Sequence, residues 1–230
     1  MLTFGLITEG VTDRMVLENI LRGYFSDEEE EPAFNPVQPP PPSPGTPHPP
    51  GGWTLVFQSL RRGDHRGVLS YCDYLVIQID TDVSQEPGFD VPWREEGRER
   101  TPEQLHARVR ERLQRELGED FLAAHGDRVL YAIAIHEIEC WLLPLLYTDR
   151  KAGKIVGCLS AANHALQLQA RPPLSTGETK DPRAYREASR PYLKRKILLE
   201  RRDHNPSLAL FLAQLAPIHA ARAPAPPAEG

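Results

Sequence analysis

Cysteine is scarce: Cys72, Cys140 and Cys158 are the only three in 230 residues. The odd count and wide spacing exclude the dense disulfide framework of small secreted scaffolds. All three lie in or beside apolar stretches, which reads as buried free thiols in a reducing compartment. Long apolar runs are also lacking. Val129 to Tyr147 is the most apolar later stretch, yet it is short for a bilayer span and holds His136, Glu137 and Glu139. Glu9 and Asp13 interrupt the N-terminal apolar run, so no signal peptide is expected and the protein is read as cytoplasmic. There is no GxGxxG and no GxxxxGK[ST], hence no nucleotide-fold fingerprint and no ATPase of its own. Positive charge is not in excess: 27 Lys and Arg stand against 32 Asp and Glu, a net charge of −5. Bulk charge therefore gives no support for nucleic-acid binding. It does not exclude it, because a metal-dependent nuclease is acidic at its centre and carries its basic surface locally.

What is plentiful is proline, 23 residues, many of them between Pro32 and Pro50. Residues 26–52 begin with an acidic run and continue into this proline-rich stretch. Such a segment buries little apolar surface and has few backbone donors, so it is expected to be a disordered or polyproline-like insertion. Residues 217–230, rich in Ala and Pro, are expected to be a flexible tail.

Around the insertion the apolar pattern alternates between strand and helix. Leu2–Thr8 reads as a buried strand ended by Glu9-Gly10. Val16, Leu17, Ile20, Leu21 and Tyr24 then recur at helical spacing behind Thr12 or Asp13. Trp53–Leu60 alternates weakly and reads as a second strand. Asp73–Ile79 (DYLVIQI) is the strongest buried strand and runs into Asp80-Thr81-Asp82. Thr101-Pro102-Glu103 signals a helix start, with Leu105, Val109, Leu113 and Leu117 on its buried face. Val129–Ile135 is a fourth strand. From Asp149 the chain reads as mainly helical, over 155–169, 182–200 and 207–215. Strands alternating with helices predict an α/β protein with a mainly parallel sheet of about four strands, covered on both faces. The expected division is a catalytic domain over 1–148 and a helical C-terminal extension over 149–216.

Three carboxylate pairs fall where predicted strands end: Glu9 with Asp13, Asp80 with Asp82, and Glu137 with Glu139. Ligands of open α/β sheets bind at those ends. The spacing of Asp80 and Asp82 puts both side chains on one face of an extended backbone. Mg²⁺ takes oxygen ligands in octahedral array, from a few carboxylates, water and substrate phosphate. Each pair alone is a weak signal; their joint order carries the argument. HEIEC falls one residue short of a zinc-protease HExxH, since Cys140 stands where the second His belongs.

LITEGVTDRMVLENIL resembles the opening motif of TOPRIM domains, the fold shared by topoisomerases, primases and OLD-family (overcoming lysogenization defect) nucleases. DYLVIQIDTDV resembles the second TOPRIM motif, a strand followed by Asp-x-Asp. The Glu-Gly-x-x-Asp form and the later IHEIECWLLP are similar to the OLD-like branch of bacterial antiviral defence systems. The resemblance covers about residues 1–145 and implies phosphodiester hydrolysis with Mg²⁺, or with Mn²⁺ in its place. It implies Glu9, Asp80, Asp82 and Glu137 as metal ligands. It implies Glu9, Asp13, Asp80, Asp82 and Glu139 as catalytic acids, with Glu139 ahead of Glu137 as the later one. OLD-like enzymes also use a downstream lysine; no motif marks it here, and Lys180 and Lys194 are the candidates. DNA or RNA is the implied substrate, and a separately encoded ATPase the implied partner; self-association stays open. The basic loop Arg61–Arg66 is the preferred phosphate contact. Two alternatives remain: a catalytically degenerate TOPRIM subunit, and a metal-dependent phosphohydrolase acting on a small phosphorylated substrate.

Overall fold

The computed structural model describes residues 1–42, 45–46, 49–177 and 179–222. Strand β1 (Thr3–Ile7) leads to α1 (Val11–Tyr24), β2 (Ala33–Gln38), α2 (Trp53–Arg62) and β3 (Tyr74–Asp80). A short hairpin follows, β4 (Arg94–Glu95) and β5 (Arg98–Glu99), then α3 (Pro102–Leu117), α4 (Glu119–His125) and β6 (Val129–Ala134). The remainder is α5 (Leu143–Leu146), α6 (Cys158–Leu168), a second hairpin of β7 (Ser175–Thr176) and β8 (Thr179–Lys180), then α7 (Pro182–Ser189), α8 (Arg195–Arg201) and α9 (Pro206–Arg222).

Four strands form one sheet in the order β2-β1-β3-β6, every neighbour parallel. Alternate side chains point to opposite faces. Phe4, Leu6, Val76, Leu130, Ala132 and Ala134 pack with α1 and the C-terminal helices. Ile7, Leu75, Ile77, Ile79, Tyr131 and Ile133 pack with α2 and α3. The expected α/β architecture is thus present, with both sheet faces covered.

The second strand is not where the sequence pattern put it. Residues 53–62 form helix α2, with Val56, Phe57 and Leu60 buried at helical spacing. Gly63 ends it in a left-handed conformation (φ 80°), the usual glycine cap. The strand lies instead within the proline-rich segment, at Ala33–Gln38. Proline is tolerated there because β2 is an edge strand with a single partner, so Pro36 need not donate on its open side. The same segment is tied down by ion pairs, Asp27 with Arg195 and Glu28 with Arg222. The expectation of a disordered insertion over 26–52 therefore fails for 33–38, and its residues 43–44 and 47–48 lie outside the described residues. The expected flexible tail over 217–230 is helical as far as Arg222, where α9 ends; 223–230 lie outside the described residues.

The C-terminal helices complete the fold. Helix α1 is buried along nearly its whole length because α7 and α8 cover the side that the sheet does not. A Cβ on Gly23 would fall 1.7 Å from the Tyr192 carbonyl oxygen, so only glycine permits this approach. Helix α9 covers the other edge strand, β6. The Gln214 amide accepts from Tyr131 N–H (2.9 Å) and donates to Tyr131 O (2.9 Å), pairing the exposed ladder as a neighbouring strand would.

Cys140 and Cys158 were expected as free thiols. They form a disulfide, with Cα atoms 5.0 Å apart, that joins the turn after β6 to the start of α6. Eighteen residues separate them in sequence, and only the fold brings them together. Cys72 is free and buried.

Candidate functional site

The strand order reverses between β1 and β3: β1 crosses over to β2 on one side, while β3 lies on the other. Such a switch point leaves a crevice at the C-terminal strand ends. Ile7 pairs with Ile77, so Glu9 comes level with the end of β3. A ring of hydrogen bonds holds the two strand ends together. Asp80 N–H donates to Glu9 Oε1 (2.8 Å), Glu9 N–H donates to Gln78 Oε1 (3.0 Å), and Gln78 Nε2 donates to Asp80 Oδ1 (2.9 Å).

Asp13 enters from the first turn of α1, accepting from Thr12 Oγ1 at 3.2 Å. Gly10 leaves it room: a Cβ there would stand 2.8 Å from Asp13 Oδ2. Glu139 enters from the 3₁₀ turn after β6 and is wholly buried. Its Oε1 accepts from the Tyr185 hydroxyl and pairs with Lys180 Nζ at 2.7 Å, while its Oε2 has no partner among the described residues. Asp82 stands exposed at the mouth. Its backbone is clasped to the β6 end, since Thr81 N–H and Asp82 N–H both donate to His136 O (2.8 and 2.9 Å) and His136 N–H donates to Thr81 Oγ1 (2.8 Å). His136 adopts φ 62°, uncommon for a residue with a side chain, and its ring packs on Trp93 with centroids 5.0 Å apart.

The electrostatics follow from burial and like charge. Burial, then Asp13 and Asp82, raise Glu9 to about 8, against the pull of the Asp80 N–H and Lys180. Burial, then the charges of Asp13, Glu9 and Glu139, hold Asp80 well above the usual carboxylate range. Burial also raises Asp13, with Lys180 opposing and Glu139 adding to the rise, and raises Asp82. Burial works against the Lys180 ammonium, yet Glu139, Asp13 and Asp80 outweigh it and keep the proton on. Burial and Glu139 likewise keep the Tyr185 hydroxyl protonated, as a donor.

Of the residues singled out in the sequence, Glu9, Asp13, Asp80, Asp82, Glu139 and Lys180 thus come together. Glu137 does not serve with them. Its Oε1 accepts from Cys158 N–H (2.6 Å) and Leu159 N–H (2.9 Å), capping α6. One of the two oxygens of this expected metal ligand is therefore committed to the helix end. Lys194 is exposed at the start of α8 and pairs with none of these acids among the described residues. The Arg61–Arg66 segment is also misplaced by the sequence pattern. Because 53–62 is a helix starting beside Glu9, with Gly52 N–H donating to Glu9 O (2.9 Å), it carries these arginines to the opposite end of the sheet. There they pair with acids: Arg61 with Glu116, Arg62 with Asp64 and Arg66 with Asp120.

Gln78 and Tyr185 went unrecognised in the sequence. Gln78 had a signal, as the one amide inside the apolar run DYLVIQI. Tyr185 had none, lying on a helix 46 residues beyond the acid it serves.

The donor set is all hard oxygen, which suits Mg²⁺. Among the described residues no three of these acids have oxygens all within 4.8 Å of one another. The one trio of that kind is Glu137, Cys140 and Cys158, whose two sulfurs are joined in the disulfide and whose Glu137 Oε1 caps α6. Mg²⁺ usually keeps several waters and takes one or two carboxylates directly, so an open spacing is compatible with it. The unpartnered Glu139 Oε2 and the space at Gly10 fit such an ion.

The chain matches no family model, no curated protein and no solved structure in the comparisons made. Among the described residues no helix is long and apolar enough to cross a membrane.

Proposed function

We propose that this chain is a Mg²⁺-dependent nuclease of TOPRIM-like build that hydrolyses phosphodiester bonds of DNA or RNA. One observation carries the reading: five carboxyl groups from three segments of the chain converge at the sheet's switch point around a single ammonium, with one wholly buried carboxylate oxygen unpartnered among the described residues. A structural salt-bridge centre would balance its charges; here acids outnumber the one base. The family reading itself rests on the sequence motifs alone.

Glu9, Asp80 and Asp82 would hold the ion, with Asp13 and Glu139 behind them. Mg²⁺ bound there would supply polarisation of the phosphate and activation of water. As an alternative to ligating the ion, Glu9 would take a proton from an attacking water. Lys180, at the mouth with 37% of its side chain exposed, is placed to meet negative charge building on the phosphate. Gln78 fixes the spacing of Glu9 and Asp80. Tyr185 orients Glu139.

Incubation of the protein with supercoiled plasmid and with tRNA, with and without Mg²⁺, tests this. Cleavage that requires the ion and is lost in Asp80→Ala supports it; no cleavage of either substrate under any divalent ion refutes it. The catalytically degenerate alternative drew its force from the unmarked lysine and the Pro-rich insertion, and Lys180 against Glu139 weakens the first ground. We further propose that the nuclease acts as the effector of an antiphage system, bound to a separate ATPase. This partner follows from the motif resemblance and the missing phosphate-binding loops. Affinity capture from the native host should recover an ATPase, and its absence would remove this part of the reading.

A further inference from the structure

Lys180 holds an unusual position. It is the one ammonium set among the five acids, its Nζ is 2.7 Å from Glu139 Oε1, and the acids raise its hold on the proton. The acids surround it without closing on a common point, since no three offer oxygens within 4.8 Å of one another among the described residues. Its backbone is anchored separately from its charge. Asn163 on α6 accepts from Leu174 N–H (2.7 Å) and donates to Ser175 Oγ (3.3 Å), while Asp181 N–H donates to Leu174 O (2.8 Å). The base of the β7–β8 hairpin is therefore fixed, while the lysine head is one-third exposed on a flexible stem.

We propose that Lys180 is a built-in cation that competes with the divalent metal for the acidic cluster and yields its place when a substrate phosphate arrives. This rests on the metal-dependent reading above. With no metal, the ammonium offsets part of the repulsion among Glu139, Asp13 and Asp80. A divalent ion entering among the same acids meets a neighbouring positive charge, which weakens its binding. A phosphate at the mouth offers that ammonium another anion, so the lysine turns outward and the acids close on the metal. Metal without substrate is thus held weakly, and the full site assembles only with both.

The test is calorimetric titration of Mn²⁺ alone into the wild type, Lys180→Met and Lys180→Arg, with folding of each checked by circular dichroism. Lys180→Met should bind Mn²⁺ at least about tenfold more tightly than the wild type, because the competing charge is gone. Lys180→Arg should bind like the wild type. If Lys180→Met does not fold, Lys180→Gln, whose amide still donates to the Glu139 carboxylate but carries no charge, replaces it with the same expectation. Equal or weaker binding in the Met variant, while the wild type binds, overturns the competition and leaves the metal site standing. No binding to any of the proteins overturns both.

Discussion

Glu9→Gln should make the metal-free protein more stable while removing its activity. Glutamine keeps the Oε1 that accepts the Asp80 N–H at 2.8 Å and deletes only the ionisable proton. Glu9 titrates at about 8 in the fold, against an ordinary value of 4.5. The unfolded chain therefore gives up this proton first. Between pH 4.5 and 8 it binds fewer protons than the native state, so each rise in pH favours unfolding. At pH 7 that interval is about 2.5 pH units, or roughly 3 kcal/mol of stability forgone on account of Glu9. For a chain of this size that corresponds to a Tm rise of roughly 6–12 °C in the variant. The gain should shrink as pH falls towards 4.5 and vanish below it, where the residue is protonated in both states. Urea melts of both proteins at pH 4, 5.5 and 7, in EDTA, measure this directly. Added Mg²⁺ or Mn²⁺ should raise the wild-type midpoint by binding the folded state and move the variant little. If Glu9→Gln is less stable than the wild type at pH 7 without metal, Glu9 is a paired structural charge and the reasoning fails.

Asp80→Ala and Asp82→Ala should each abolish the metal-induced rise in melting temperature and any cleavage, as read by thermal melts and the nicking assay; a retained shift would remove them from the ligand set. Glu137→Ala should leave Mn²⁺ binding intact but lower stability by about 1 kcal/mol in urea melts, the ordinary cost of a lost helix cap. A large loss of metal affinity would return Glu137 to the site. Gln214→Leu leaves Tyr131 N–H and C=O unpaired on the covered edge of β6, which should cost about 1–3 kcal/mol. Faster amide exchange at Tyr131 is the accompanying sign, and unchanged exchange would show that water replaces the glutamine.

The sequence by itself determined the α/β alternation and three of the four strands. Apolar runs such as Val129–Ala134 lie in a parallel sheet buried on both faces, and a run of that kind needs no tertiary context to be recognised. It also marked the acids at strand ends, since Glu-Gly and Asp-Thr-Asp stop the runs abruptly. Tertiary structure decided the rest. Residues 33–38 become a strand, Pro36 included, because an edge position beside β1 was open. Residues 53–62 become a helix because their apolar side chains find the α2–α3 face of the sheet. That one change turned the basic segment away from the site. The division of labour between Glu137 and Glu139 was invisible in sequence, because two residues apart in a tight turn they face different neighbours: the start of α6, and Tyr185 with Lys180. The contact of Tyr185 with Glu139, 46 residues away, depends on how α7 stacks on α1, and no local pattern encodes that stacking.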